Sequence, residues 1–259
     1  MRFSVLGSGS KGNCVYIENE RTSILIDGGF SGKEIEARLR QIDRSAEDLD
    51  AIFVTHEHHD HICGVGIMSR RCKIPVFANP GTFAGAEKRL KKLHKRCEFT
   101  TGEQFSFQDL HIRSFATSHD TNDPVGFIFS NGHSSVGFCT DTGIATRLIQ
   151  TRMMKCNGLI IEFNHDPEML KTGPYPPALK QRVRSSHGHL SNEDAASLLS
   201  TIFHDQMERV VLAHLSETNN TPDLALRAAL SAFPDEPEVR KRLQISEQRR
   251  PTTLFTLAG

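Results

Sequence analysis

The seven residues Thr55-His56-Glu57-His58-His59-Asp60-His61 hold four imidazoles and two carboxylates, directly after the apolar run Ala51-Ile52-Phe53-Val54. The run reads as a short buried strand. Imidazoles and carboxylates where such a strand runs out must be solvated, paired or bound to something. Neutral imidazole nitrogen and carboxylate oxygen are ligands that Zn²⁺ and its neighbours favour. Side chains two apart in an extended segment point the same way, so His56 and His58 can grip one cation. A helix beginning after His58 would turn Asp60 and His61 towards a second. The plainer reading is a polar, His-rich loop; spacing and the strand-to-helix context favour chelation.

The pattern His-x-His-x-Asp-His after an apolar strand resembles the signature of the metallo-β-lactamase fold superfamily. That resemblance implies an α/β chain folded as a four-layer αββα sandwich, with a one- or two-metal site on the edge between its sheets. It also implies a lone His, then an Asp, then another His, each at a strand end. His119 follows the apolar stretch 110–116, Asp141 follows 135–139 and His214 follows 209–213. On this template His56, His58 and His119 hold the first metal, Asp60, His61 and His214 the second, and Asp141 bridges them beside a shared hydroxide. Asp27, which ends the apolar stretch 23–26, resembles the superfamily's first motif and would orient a ligating His; an Asx turn is the plainer role. A mixed nitrogen and oxygen donor set without thiolate suits two divalent ions, Zn²⁺ or Mn²⁺.

Composition narrows the partners. Thirty-one basic and 31 acidic residues balance, so a nucleic-acid surface would have to be a local patch. Six scattered cysteines form no Cys-x-x-Cys pair, which points to core thiols and a reducing compartment. No stretch is long and apolar enough to span a bilayer and the first residues contain no apolar leader, so the expectation is a cytoplasmic protein without a membrane partner. No repeat or linker interrupts residues 1–259, which read as one hydrolase domain.

Along the chain, the Gly/Ser loop 7–13 follows a first strand, and its glycines let backbone amides approach an anion. Ser31 reads as the N-cap of a helix to about residue 42, and a further helix runs from about 60 to before 73. Residues 82–96 read as one basic amphipathic helix with Leu90 and Leu93 inward and Lys88, Arg89, Lys91, Lys92, Lys95 and Arg96 outward. That helix is a solvated face or a phosphate-backbone contact. Asn131-Gly132 signals a hairpin, and 144–153 a helix. Residues 158–162 form a strand ending in Glu162. Residues 167–184, rich in Pro, Lys and Arg, read as an irregular excursion over the surface that could fold as a lid or substrate ledge. Ser191 caps a helix to about 203, so His189 stands just before a helix N-terminus, a place that favours phosphate. A helix over 222–233 and a strand over 252–257 complete the pattern.

Gly-Ser-x-Ser-x-Gly-Asn, Glu-x-Asn-His-Asp and Gly-His-Leu-Ser-Asn resemble the YycJ/WalJ branch of the superfamily. Gly188-His189-Leu190-Ser191 and Leu212-Ala213-His214 also resemble the paired His motifs of the β-CASP nucleases, without their large inserted domain. The branch implies a metal-dependent 5′→3′ exonuclease acting on double-stranded DNA. Asp60, His189 and Glu162 would then be its catalytic groups, with His189 as phosphate contact or general acid. Ser8, Ser10, Asn13, Asn164 and His165 would contact the nucleic-acid substrate. For Glu162, Asn164 and His165, capping or strand-end hydrogen bonding is the alternative role. A hydrolase of small cyclic or linear phosphodiesters is the second enzyme reading. A redox di-iron protein would prefer Glu where this chain has His58, and a non-catalytic DNA-binding module would be expected to lack ligands that are all present here.

Overall fold

Alternate side chains of the strands enter different apolar clusters, as sheets buried on both faces require. In the computed structural model, which describes residues 1–258, Phe3 and Val5 of β1 (Arg2–Gly7) join one cluster and Leu6 another. Val15 and Ile17 of β2 (Cys14–Glu18) part in the same way from Cys14 and Tyr16, and Ile24 and Ile26 of β3 (Ser23–Ile26) from Leu25. β4 (Ala51–Phe53), β5 (Pro75–Ala78) and β6 (Lys95–Glu98) extend this sheet in parallel from β3.

The second sheet repeats the plan. β7 (Gln104–Phe107), β8 (Leu110–Ala116), β9 (Val125–Ser130) and β10 (Ser135–Cys139) are antiparallel. β11 (Gly158–Glu162), β12 (Arg209–Ala213) and β13 (Leu243–Ile245) continue from β10 in parallel, and β14 (Phe255–Thr256) returns to the first sheet beside β1. The strand orders are β14-β1-β2-β3-β4-β5-β6 and β13-β12-β11-β10-β9-β8-β7. Phe3, Phe53, Phe127 and Phe129 pack between the sheets, with Phe53 edge-on to both Phe127 and Phe129.

Helices cover the two outer faces. α1 (Gly32–Gln41) comes first, capped by the Ser31 hydroxyl; the single turn α2 (His59–Ile62), α3 (Val65–Cys72) and α4 (Pro80–Leu90) follow. Ile35, Leu39, Met68 and Phe83 from α1, α3 and α4 pack on Leu6, Tyr16 and Leu25. α5 (Arg147–Met153), α6 (Pro167–Thr172), α7 (Pro177–Val183), α8 (Asn192–Ile202) and α9 (Pro222–Ser231) belong to the second half, with α10 (Val239–Arg242) before β13. Ile149, Leu199 and Ala225 from α5, α8 and α9 pack on Leu159, Ile161, Val210 and Leu212. The architecture is the four-layer αββα sandwich.

Several elements differ from the sequence reading. The basic stretch 82–96 is not one helix: α4 ends at Leu90, Lys91 takes a positive φ, and Lys95 and Arg96 belong to strand β6. The helix expected over 60–72 breaks at Gly64, where a Cβ would lie 2.2 Å from the Phe30 carbonyl oxygen. Residues 167–184 are two short helices rather than an irregular loop, because Pro167 and Pro177 stand at helix starts, where a missing N–H costs nothing. The β9–β10 connection has four residues, closed by Asn131 Oδ1, which accepts from the His133 and Ser134 amides. The last strand shrinks to Phe255–Thr256, and the helix expected over 144–153 begins at Arg147.

Register brings the strand ends to one level. Ile26 pairs with Phe53, so Asp27 and the residues after Phe53 emerge together. Cys139 pairs with Ile161 and Glu162 with Ala213, so Asp141 and His214 flank Glu162.

Candidate metal centre

Four of the five key imidazoles have one ring nitrogen fixed by the protein. His61 Nδ1 lies 2.8 Å from Asp27 Oδ2 and His214 Nδ1 lies 2.8 Å from Glu162 Oε1. His119 Nδ1 is 3.1 Å from the Gly188 carbonyl oxygen. Carboxylates and carbonyls only accept, so these nitrogens carry the protons. The Thr55 hydroxyl donates to Asp27 and therefore accepts from His56 Nδ1 at 3.0 Å. The Nε2 lone pairs of His56, His61, His119 and His214 are thereby turned inward. A partner that fixes the tautomer in this way is the usual companion of a metal-ligating histidine.

Those inward atoms converge. Single donor atoms of His56, His58 and His119 lie within 4.8 Å of one another, as do those of Asp60, His61 and His214, and those of His56, His61 and Asp141. His61 Nε2 is 3.4 Å from Asp141 Oδ2, and His119 Nε2 is 3.8 Å from Asp141 Oδ1, so this carboxylate faces both triads. His56 Nε2, His214 Nε2 and Asp141 Oδ2 are buried with no hydrogen-bond partner, a costly state for polar atoms unless a ligand completes them. His58 reaches the cluster through Nδ1, 3.2 Å from His119 Nε2. Asp27, Asp141 and His214 all adopt positive φ, near 59°, 57° and 58°. Such backbone costs of order 1–3 kcal/mol per non-glycine residue and persists where the surroundings enforce it.

Electrostatics give the same answer. Burial holds His56 well below the ordinary imidazole range, leaving its lone pair free. Burial also opposes charge on His61, yet Asp141, Asp27 and Asp60 outweigh it and push the imidazole up to about 9. Asp141 is held well below the usual carboxylate range; burial resists this, and His214, His61 and His56 overcome it. A pocket that draws a proton onto a buried imidazole is one a cation fits.

The comparisons agree with the geometry. Residues 22–215 match the β-lactamase superfamily domain. The chain is 37% identical over 227 residues to the exodeoxyribonuclease YycJ of Bacillus anthracis, covering 87% of this chain and 86% of that one. It is 40% identical over 228 residues to the exodeoxyribonuclease WalJ of Streptococcus pneumoniae R6, covering 86% and 85%. The chain belongs to the β-lactamase superfamily. In fold it also matches the crystal structure of the metallo-β-lactamase fold protein YhfI from Bacillus subtilis, with a TM-score of 0.74 at 17% identity, over 97% of this chain and 98% of that one. A metallo-β-lactamase fold carrying this His and Asp cluster is a divalent-metal site.

The other expected residues divide. His189 lines the cleft with Nδ1 2.8 Å from Glu162 Oε1, which leaves its Nε2 without a hydrogen-bond partner among the described residues. Glu162 itself is buried behind His189 and His214, where five N–H groups point at it: both Nδ1 atoms and the amides of Asp141, Thr142 and Leu190. It lies behind the two histidines and does not line the cleft, and it fixes the Nδ1 atoms of both. Ser10 and Asn164 line the cleft, which measures about 400 Å³. Ser8 and Asn13 are buried and committed to the protein. Ser8 Oγ accepts from the His214 amide and donates to Asn13 Oδ1, while the Asn13 amide reaches His61 Nε2 at 3.0 Å. His165 does not line the cleft; burial holds it down to about 4 and hence neutral. Arg89, Asp120, Tyr175, Arg182 and Asn219 do line it. None was singled out individually from the sequence, though Asp120 is adjacent to His119, and Tyr175 and Arg182 fall in the 167–184 segment read as a lid or substrate ledge.

Among the described residues, no helix is long and apolar enough to cross a membrane.

Proposed function

We propose that this chain is a metal-dependent nuclease that hydrolyses phosphodiester bonds of DNA, acting as a 5′→3′ exonuclease on double strands. The observation that carries the reading is the convergence of seven nitrogen and oxygen donors, several buried without hydrogen-bond partners, at a cleft that His189 also lines, its donor atom within 4.8 Å of those of Asp141, Glu162 and His214. Identity of 37–40% over most of the chain to exodeoxyribonucleases supports DNA as the substrate. His56, His58 and His119 would hold one divalent ion and Asp60, His61 and His214 a second, with Asp141 shared between the two sets; Zn²⁺ and Mn²⁺ suit the donors. Divalent ions held there would supply Lewis-acid chemistry, acidifying a bound water and stabilising charge on the phosphate oxygens.

The chain's own residues do the rest. Asp27 and Glu162 keep Nε2 of His61 and His214 turned inward. His189, backed by Glu162, presents Nε2 to a phosphate oxygen or to the departing one, as a hydrogen-bond donor or general acid. Asp60 lies 3.7 Å from His61 Nε2 and 3.9 Å from His214 Nε2, so it would share their ion and offer a carboxylate oxygen as a base beside it.

The test is incubation of Mn²⁺- or Zn²⁺-loaded protein with end-labelled single- and double-stranded DNA and RNA. Mononucleotides released stepwise from the 5′ end of duplex DNA are expected. Cleavage confined to small cyclic or linear diesters would replace this reading with the alternative.

A further inference from the structure

The only lysine or arginine side chains lining the cleft are Arg89, from the last turn of α4, and Arg182, from α7. They differ in how they are held. Arg89 is exposed and touches only the Glu57 carbonyl oxygen, at 3.4 Å. Arg182 donates from Nε to Asp120 Oδ2 at 2.5 Å, and the other oxygen of that carboxylate lies 3.4 Å from His119 Nε2 and 3.8 Å from His58 Nε2. Both terminal nitrogens of Arg182 are without a protein partner among the described residues.

Two physical points follow. A carboxylate beside the ligand histidines would repel an incoming polyanion, and Arg182 cancels its charge. Fixing the guanidinium through Nε also leaves both terminal nitrogens uncommitted, in the planar geometry that pairs with two oxygens of one phosphate. Asp120 spaces that fork one carboxylate beyond the ligand set. With Asp120 standing between the guanidinium and the ligand histidines, a phosphate that pairs with the fork is a different one from a phosphate held at the centre.

We propose that Arg182, held by Asp120, is the binding site for the phosphate adjacent to the scissile one, so that the centre selects chains of phosphodiesters over isolated diesters. This rests on the nuclease reading above and adds a residue that sets its substrate class. Lysine cannot serve, because one ammonium does not span Asp120 and a phosphate in fixed geometry.

The test crosses protein and substrate changes. Wild type, Arg182→Ala and Arg182→Lys are assayed for the first cleavage of an end-labelled DNA duplex. Three forms of the cleaved strand are compared: unmodified, with a neutral methylphosphonate at the linkage after the scissile one, and without its 5′-terminal phosphate. In the wild type, neutralising the contacted neighbour raises KM about tenfold to a hundredfold, the range for losing a charge-assisted hydrogen bond. Arg182→Ala shows a similar rise on unmodified DNA and little further rise on that modified strand, with metal content unchanged. The salt dependence of its binding falls by about one phosphate's worth, which a mere anchor for α7 would not alter. Arg182→Lys stays impaired. If the protein and substrate changes add independently at both neighbouring positions, or Arg182→Lys restores KM, the clamp is overturned while the nuclease reading stands. If the wild type cleaves none of the strands, the nuclease reading falls and takes the clamp with it.

Discussion

Replacing Glu162 by Gln alters one group at the back of the site, and its effect can be worked out before the ion is considered. Five N–H donors converge on this fully buried carboxylate. Burial raises its pKa, but His189 and His214 overcome that and push it down from 4.5 to about 2. A carboxyl so shifted on folding contributes about 3 kcal/mol at neutral pH. Because the folded value lies below the unfolded one, that contribution is complete above about pH 5 and fades as the pH falls towards 2. A glutamine amide, whichever way it is turned, leaves at least two of the donors facing an NH₂ group. In the metal-free protein, Glu162→Gln should therefore lower the melting temperature at pH 7 by about 6–12 °C, taking ~2–4 °C per kcal/mol for a chain of this size. The gap should shrink as the pH is lowered to about 3. In the loaded protein, mis-set His214 and His189 should cost about 10–100-fold in metal affinity or activity. Thermal unfolding with and without chelator, at both pH values, checks this. An unchanged melting point, or a gap as wide at pH 3 as at pH 7, would refute the assignment of Glu162 as the charged hinge of the two histidines.

Other perturbations separate the parts. His189→Ala should keep its metals yet lose about 10²–10⁴ in turnover; metal analysis showing depletion would move His189 into the ligand set. Asp141→Asn, which tolerates the positive φ there, should lower metal content and all but abolish turnover, whereas full activity would exclude a shared carboxylate. Neutralising Lys88, Lys91 and Lys92 around the end of α4 should weaken duplex binding and reduce its salt slope by up to about 3; an unchanged slope would mean these lysines are only solvated. Gly29→Ala would set a Cβ 1.7 Å from the Asp60 carbonyl oxygen. It should destabilise the fold by about 3 kcal/mol or more in chemical unfolding, and a near-neutral result would mean the 60–61 turn is softer than its packing indicates.

What could be read from the sequence was what periodicity and donor chemistry carry. The strands before His56, Asp141 and His214 are apolar on both faces, and a polar residue where such a strand ends is conspicuous. Their convergence depends on register between strands far apart in sequence, which no local pattern contains; the family resemblance supplied it. Where local signals conflicted, the reading failed. Pro167 and Pro177 look like breakers yet start helices, and the basic run 82–96 hides a stop at Lys91 whose positive φ no glycine announces. Arg182 and Asn219 reach the cleft because α7 and the segment after His214 fold over it. That is a tertiary fact: for Arg182 the sequence offered only the reading of 167–184 as a lid or ledge, and for Asn219 nothing. Glu162 and Asn13 were legible as polar residues near the site, but their roles followed only from what surrounds them.

The claim that these donors form a two-ion centre is tested most directly by anomalous diffraction from crystals of the chain loaded with Mn²⁺ or Zn²⁺. Two peaks per chain are expected, ~3.5–4 Å apart, one among His56, His58 and His119, the other among Asp60, His61 and His214, with Asp141 between them. A single peak, or ions bound away from these residues, would contradict the account.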